Sequence, residues 1–279
     1  MKHTALSKLF YEAHLVTAPG FNELVHSFTD LSLKAHAPKA EAGADPTCRF
    51  DWVDDYIVQR GKAHLDQMGI AHIYVKGPVY QGLSEWQQKM GITDMLTVQA
   101  EIRELAPQAR AIMLHMDSPG GSVQGTRELA ELFAGVNLPK VCYTTSVMAS
   151  AGYYIGVGAD KIIASPTSSV GSIGVYIPWV DYQGWYDQLG LDWNPVVSTG
   201  SDLKTTGAGP TLTPAQREYL QGDVDRSLDA FKGWVANFRV ADPDAIRGQA
   251  ARGELALEYN LIDSIGTYDE AYAELVKML

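Results

Sequence analysis

The sequence predicts an α/β protein built on a mainly parallel sheet. Two observations carry this reading. Strand-length apolar runs recur, the clearest being Ala111-Ile112-Met113-Leu114-His115-Met116, as strands buried on both faces require. Segments of helical period lie between them, so strand and helix alternate along the chain.

Taken in order, residues 2–34 read as one or two amphipathic helices. Leu6, Leu9, Phe10, His14 and Leu15 form one stripe, Pro19-Gly20 breaks it, and Phe21, Leu24, Val25, Phe28, Leu31 and Leu33 form a second. Such faces pack against the main body or a sister subunit, or dock a partner. Residues 36–47, rich in Ala, Pro and charge, read as a linker. The expected division is therefore an N-terminal arm and linker at 1–46 and a main domain at 47–279. Residues 50–57 fit a short strand or a helical turn equally well.

Residues 70–79 read as a strand stopped by Gly77-Pro78. Residues 92–105 read as a helix with Met95, Val98, Ile102 and Leu105 inward. The run at 111–116 enters Asp117-Ser118-Pro119-Gly120-Gly121-Ser122, and a helix follows at 123–134 with Leu129, Leu132 and Phe133 inward. Then come a strand at 140–145, a helix at 150–157 and a strand at 161–164. A glycine-punctuated segment at 168–176 turns strand-like. Residues 181–189 suggest a helix and 195–198 a strand, and 199–213 read as loop. Thr213-Pro214 is a helix start, Thr as cap and Pro in first position, for a helix reaching Phe238 with Leu220, Val224, Leu228, Phe231 and Val235 on the same face. A shorter helix follows Asp242-Pro243.

Composition narrows the function. The 279 residues allow one large domain or one domain plus an appendage, and 46% hydrophobic content supports a sizeable core. A net charge of -11 speaks against nucleic-acid binding. Cys48 and Cys142 form no disulfide framework, so a reducing compartment is expected. No run approaches membrane-span length, and the N-terminus lacks the apolar core of a secretory signal. A cytoplasmic location is the expectation. No His/Cys/Asp cluster has metal-ligand spacing, and no cofactor is expected.

Three features bear on chemistry. Ser150, in Met148-Ala149-Ser150-Ala151-Gly152, stands between a strand and a helix, where free backbone N–H groups face developing negative charge. The same pattern describes an ordinary N-cap serine. The Pro119-Gly120-Gly121 turn frees backbone N–H groups and admits close approach; it is equally a plain strand-to-helix turn. Lys204 sits in a glycine-rich loop, as solvated lysines do. A serine nucleophile needs a base. His3, His14, His26, His36, His64, His72 and His115 all precede Ser150, and only His115 is near the core. Among lysines between Ser150 and the C-terminal helix, Lys161 beside Asp160 looks like a strand cap, which leaves Lys204.

Asp117-Ser118-Pro119-Gly120-Gly121-Ser122, Met148 to Tyr154, Ala159-Asp160-Lys161-Ile162, Val170-Gly171-Ser172-Ile173-Gly174-Val175 and Asn260 to Gly266 resemble, in order, the signal peptide peptidase A family of serine peptidases, which includes phage prohead proteases. The resemblance covers roughly 70–266. It implies a Clp-protease/crotonase-like fold and a Ser–Lys dyad: Ser150 as nucleophile, Lys204 as general base, Ser172 orienting the lysine amine, and Gly120 and Ala151 as oxyanion N–H donors. Tyr153 and Tyr154 become packing residues. The family pattern places Gly where Ala151 stands and has one residue fewer before its lysine. The resemblance also implies a polypeptide substrate in extended form, a homo-oligomer, capsid or scaffold partners, and a host-cytoplasm or procapsid setting for phage-type members. Two other readings remain: an inactive capsid-assembly or scaffold protein of this fold, and a crotonase-type acyl-CoA enzyme.

Overall fold

The structure is a computed structural model and describes residues 61–279. Expectations for the arm, the linker and residues 50–57 lie outside the described residues. The described chain forms two units, one from 61–176 and 225–279, the other from 177–224.

In the first unit the chain passes through β1 (His64–Leu65), β2 (Ile70–Lys76), β3 (Val79–Tyr80), α1 (Glu85–Lys89), β4 (Thr93–Asp94), α2 (Met95–Leu105), β5 (Ala111–Asp117), α3 (Thr126–Gly135), β6 (Lys140–Thr144), β7 (Val147–Ala149), α4 (Ala151–Gly156), β8 (Lys161–Ala164) and β9 (Ser169–Gly171). The second unit contributes α5 (Gln183–Leu189) and the start of α6 (Pro214–Ala236). The chain ends, in the first unit, with β10 (Ala250–Arg252), α7 (Gly253–Glu258), β11 (Ser264–Ile265) and α8 (Tyr268–Lys277).

The main sheet has the order β1-β2-β5-β6-β8-β11, and every pairing except β1 with β2 is parallel. The mainly parallel α/β architecture read from the sequence is thus the observed one. Both faces are covered, which is why the strands are apolar throughout. Ile73, Val75, Ile112, Leu114, Cys142 and Ile162 pack in one cluster with Met95, Val98 and Ile102 of α2, Leu129 and Phe133 of α3, and Tyr153 of α4. Ile70, Met113, Val141, Tyr143 and Ile163 pack on the other with Ala271 and Leu275 of α8. A second sheet, β10-β9-β7, joins β7 and β9 in parallel.

Several boundaries differ from the sequence reading, each for a local reason. Thr93-Asp94 pair with Val79-Tyr80, and the Asp94 carboxylate accepts the Leu96 N–H, so α2 starts at Met95 rather than 92. Gly125 adopts φ +84, which delays α3 to Thr126. Residues 195–198 form no strand; Val196 is fully exposed there, with no neighbouring strand to bury it. Within the 168–176 segment the strand covers Ser169–Gly171, the earlier part rather than the later one. The helix at Pro214 is capped as read: Gln216 N–H donates to Thr213 Oγ1, and Thr213 N–H to Gln216 Oε1. It ends at Ala236, which leaves Phe238 exposed. Directly after Asp242, where a short helix is expected, a single 3-10 turn forms, Pro243–Ala245.

The α8 face of the sheet holds a partly buried polar chain around the buried His72. Tyr272 donates to Asp66 Oδ2 at 2.6 Å, His72 Nε2 lies 3.3 Å from the same oxygen, and His72 Nδ1 lies 2.9 Å from His115 Nε2. His115 stacks on Tyr74 and Tyr268. Burial, then the neighbouring His72, Lys76 and His64, pulls His115 down to about 3; burial also lowers His72 despite its carboxylate partner. Burial pushes Asp66 up, but hydrogen bonds from Tyr272, Ile70, His72 and Met68 outweigh it and leave the carboxyl at about 2.

These shifts act in the same direction. The unfolded histidines bind protons below about pH 6.5, where the folded ones resist, so stability falls as pH drops from there toward 3. Asp66 adds a loss that begins as pH falls through its ordinary carboxylate value and continues toward about 2. Urea unfolding against pH is expected to show this acid loss, with a shallower slope in His115→Phe. An equal slope in the variant would contradict the assignment.

Candidate active site

The site grows from two chain segments zipped side by side. After β5, Ser118 bridges to β7: Ser118 N–H donates to Val147 C=O at 2.7 Å, and Ala149 N–H to Ser118 C=O at 3.0 Å. The turn is tied on its other side as well. Val79 N–H donates to Gly120 C=O at 3.0 Å and Ser122 N–H to Val79 C=O at 2.9 Å. A side chain at Gly121 would enter the Val79 carbonyl, at 2.0 Å, so only glycine fits.

β7 delivers Ser150, which is 1% exposed. Its backbone sits at φ 52, ψ -122, a conformation that residues with side chains avoid. Two backbone bonds hold it there: Ser150 N–H to Gly171 C=O at 2.8 Å, and Tyr154 N–H to Ser150 C=O at 2.9 Å. The hydroxyl makes no capping hydrogen bond to α4. Ser150 thus stands at the N-cap position of α4 without capping it through its side chain, and the strain persists because the surroundings over-determine it. A serine on a strained strand-to-helix turn is a recurring way to present a nucleophile.

Gly120 lies against this turn. At φ +104, an added Cβ would stand 2.6 Å from Ser150 Cβ and 3.0 Å from Ala151 N. Gly120, Ser150 and Ala151 are thus brought together. The Gly120 N–H donates to Ser118 Oγ at 3.1 Å. Ser172 is adjacent in the chain to Gly171, which accepts the Ser150 N–H; it also has a positive backbone angle, φ 52, and its hydroxyl donates to Gly248 C=O at 3.2 Å. Lys204 belongs to the second unit. There it lies in the 3-10 turn Asp202–Thr205, exposed, its N–H donated to Ser201 C=O at 2.9 Å.

Other sequence candidates resolve otherwise. His115 pairs with His72 on the α8 face, whereas α4 packs on the opposite one, so His115 does not serve Ser150. Lys161 is engaged by Glu274. Tyr153 is buried with its hydroxyl on Leu261 C=O at 3.0 Å, and Tyr154 stacks on Trp234, as packing residues do. Sequence reasoning missed Val79 and the Ser118 hydroxyl; neither carries a signal beyond the strand-turn pattern. Among the described residues no group of three His, Cys, Asp or Glu side chains is placed to hold a metal ion, and no helix is long and apolar enough to cross a membrane.

The fold and this turn define an α/β protein that holds a buried serine in a strained loop against a glycine backbone. Residues 135–279, over half of the chain, match peptidase family S49, and the chain belongs to that family. Residues 87–181 also match the N-terminal domain of NfeD1b. "Protease 4" of Salmonella typhi is 30% identical over 219 residues, 75% of this chain and 34% of that protein. "Capsid assembly protease C" of Escherichia phage lambda is 25% identical over 219 residues, 76% of this chain and 50% of that protein. The chain therefore spans half or less of the length of these relatives. The solved structure of a mutant ClpP1 from Listeria monocytogenes overlays with a TM-score of 0.48 at 14% identity, covering 72% of this chain and 93% of that one.

Proposed function

We propose that this chain is a serine endopeptidase that cleaves extended polypeptides through an acyl-enzyme. The observation that carries this is Ser150, buried and strained on its turn with no side-chain capping bond, pressed against the Gly120 backbone. Membership of peptidase family S49 supports it over the acyl-CoA reading.

In this mechanism Lys204 takes the Ser150 proton as Oγ attacks the scissile carbonyl. The N–H groups of Gly120 and Ala151 receive the oxyanion. The lysine then protonates the leaving amine as the C–N bond breaks, and later activates water, which releases the acid and restores Ser150. Ser172 orients the amine. In the same reading residues 1–46 form an arm outside a peptidase domain at 47–279, and the chain acts as a homo-oligomer on capsid or scaffold proteins, in host cytoplasm or procapsid. The similarity to a capsid assembly protease favours that setting.

The test is turnover of an unfolded polypeptide by the full chain. Lys204→Ala is expected to lower kcat by at least about 10²–10⁴, the usual contribution of a general base. Full turnover in this variant would remove Lys204 from the mechanism.

A further inference from the structure

Ser118 has a hydroxyl that the proposed mechanism leaves unused. The residue is 0% exposed, and its oxygen accepts the Gly120 N–H at 3.1 Å. That N–H is the one assigned above to the oxyanion. The backbone of this turn is already held without the side chain, by two bonds between Ser118 and β7 and by Val79 on the Gly120 carbonyl. The hydroxyl therefore adds little to the shape of the turn. What it does is satisfy a buried donor that would otherwise face no acceptor while the site is empty.

We propose that Ser118 gates the oxyanion hole, its hydroxyl oxygen occupying the Gly120 N–H until the reacting carbonyl displaces it. This rests on the reading of Ser150 as nucleophile. A neutral hydroxyl and a neutral substrate carbonyl are acceptors of similar strength, whereas an oxyanion is roughly twice as strong. The exchange therefore costs the reaction about one neutral hydrogen bond, which a developing oxyanion outcompetes and a weak neutral acceptor does not. It also keeps the hole closed to weak acceptors in the resting protein. The Ser118 side chain lies beside the first turn of α4, where an added Cβ on Gly152 would be 3.2 Å from Ser118 Cβ. Gate and nucleophile thus share one packed wall. Ser118 is a positioning residue, since it acts through Gly120 and touches no reacting atom.

The test uses the full chain and an alkyl fluorophosphonate. Ser150 Oγ bonds to phosphorus, the P–F bond breaks, fluoride leaves with the serine proton, and the P=O oxygen takes the oxyanion position. Ser118→Ala is expected to raise the second-order labelling rate about three- to tenfold, the value of one competing neutral hydrogen bond. Ser118→Cys, close in size and a weaker acceptor, is expected to shift the rate in the same direction by less. A merely structural Ser118 would lower stability and leave the rate per folded molecule unchanged or lower, and that result overturns the gate. If Ser150 labels in the wild type but Ser118→Ala is no faster, the gate alone fails. If Ser150 does not label in the wild type, the nucleophile reading fails and takes the gate with it.

Discussion

Ser150→Ala is expected to lower peptide-bond cleavage by about 10⁴–10⁶, the scale seen when a serine nucleophile is removed, while the chain keeps its fold. The fold survives because the hydroxyl makes no capping bond, and the turn is held by backbone groups that alanine retains. A companion variant separates chemistry from strain. At φ 52, ψ -122, glycine is at ease where alanine and serine are not. Ser150→Gly is therefore expected to be as inactive as Ser150→Ala but more stable than it by about 1 kcal/mol. Denaturant unfolding of the two variants measures this. Equal stability would mean that the turn stores no strain.

Gly120→Ala is the second large effect. The added methyl would stand 2.6 Å from Ser150 Cβ, 3.0 Å from Ala151 N and 3.1 Å from Ala149 O, at a backbone angle of φ +104. Two of these neighbours are backbone atoms and the third is the Cβ of the strained serine, so none can swing aside. The turn must shift, and the Gly120 N–H shifts with it. Loss of one oxyanion donor costs about 10²–10³ in kcat, and the strained backbone and clash together cost on the order of 1–3 kcal/mol of stability. Gly233→Ala is the control. It lies in α6, is exposed, and an added Cβ there meets nothing within 4 Å. That substitution is expected to gain about 0.5–1 kcal/mol through helix propensity and to leave cleavage unchanged. Wild-type activity in Gly120→Ala would remove this residue from the site.

The contrast between these two glycines marks where sequence reading reaches and where it stops. The central strands were legible because apolar runs such as 111–116 have one physical use in a chain of this composition, burial on both faces. The order of strand, Pro119-Gly120-Gly121 turn and helix was legible for the same reason, and so was the Thr213 cap. The rest depends on partners distant in sequence. Pro195-Val196-Val197-Ser198 has strand-forming residues, yet no neighbouring strand receives it, and Val196 stays exposed. Thr93-Asp94 reads as helix until Val79-Tyr80 claims it.

At the site, Ser150 was visible as a residue type at a junction, which a cap would also satisfy. Its N–H is held by the Gly171 carbonyl, a partner distant in sequence that leaves no local signature. The Ser118 bond to Gly120 is local, two residues apart, but its meaning appears only once Gly120 is seen against Ser150.

The measurement that tests the account most directly is peptide mapping by mass spectrometry of the full chain after fluorophosphonate treatment, alongside Ser150→Ala. The account predicts a single adduct on the peptide carrying Ser150, with both the adduct and polypeptide cleavage absent in the variant. Undiminished cleavage by Ser150→Ala, or an adduct on a different residue, would contradict it.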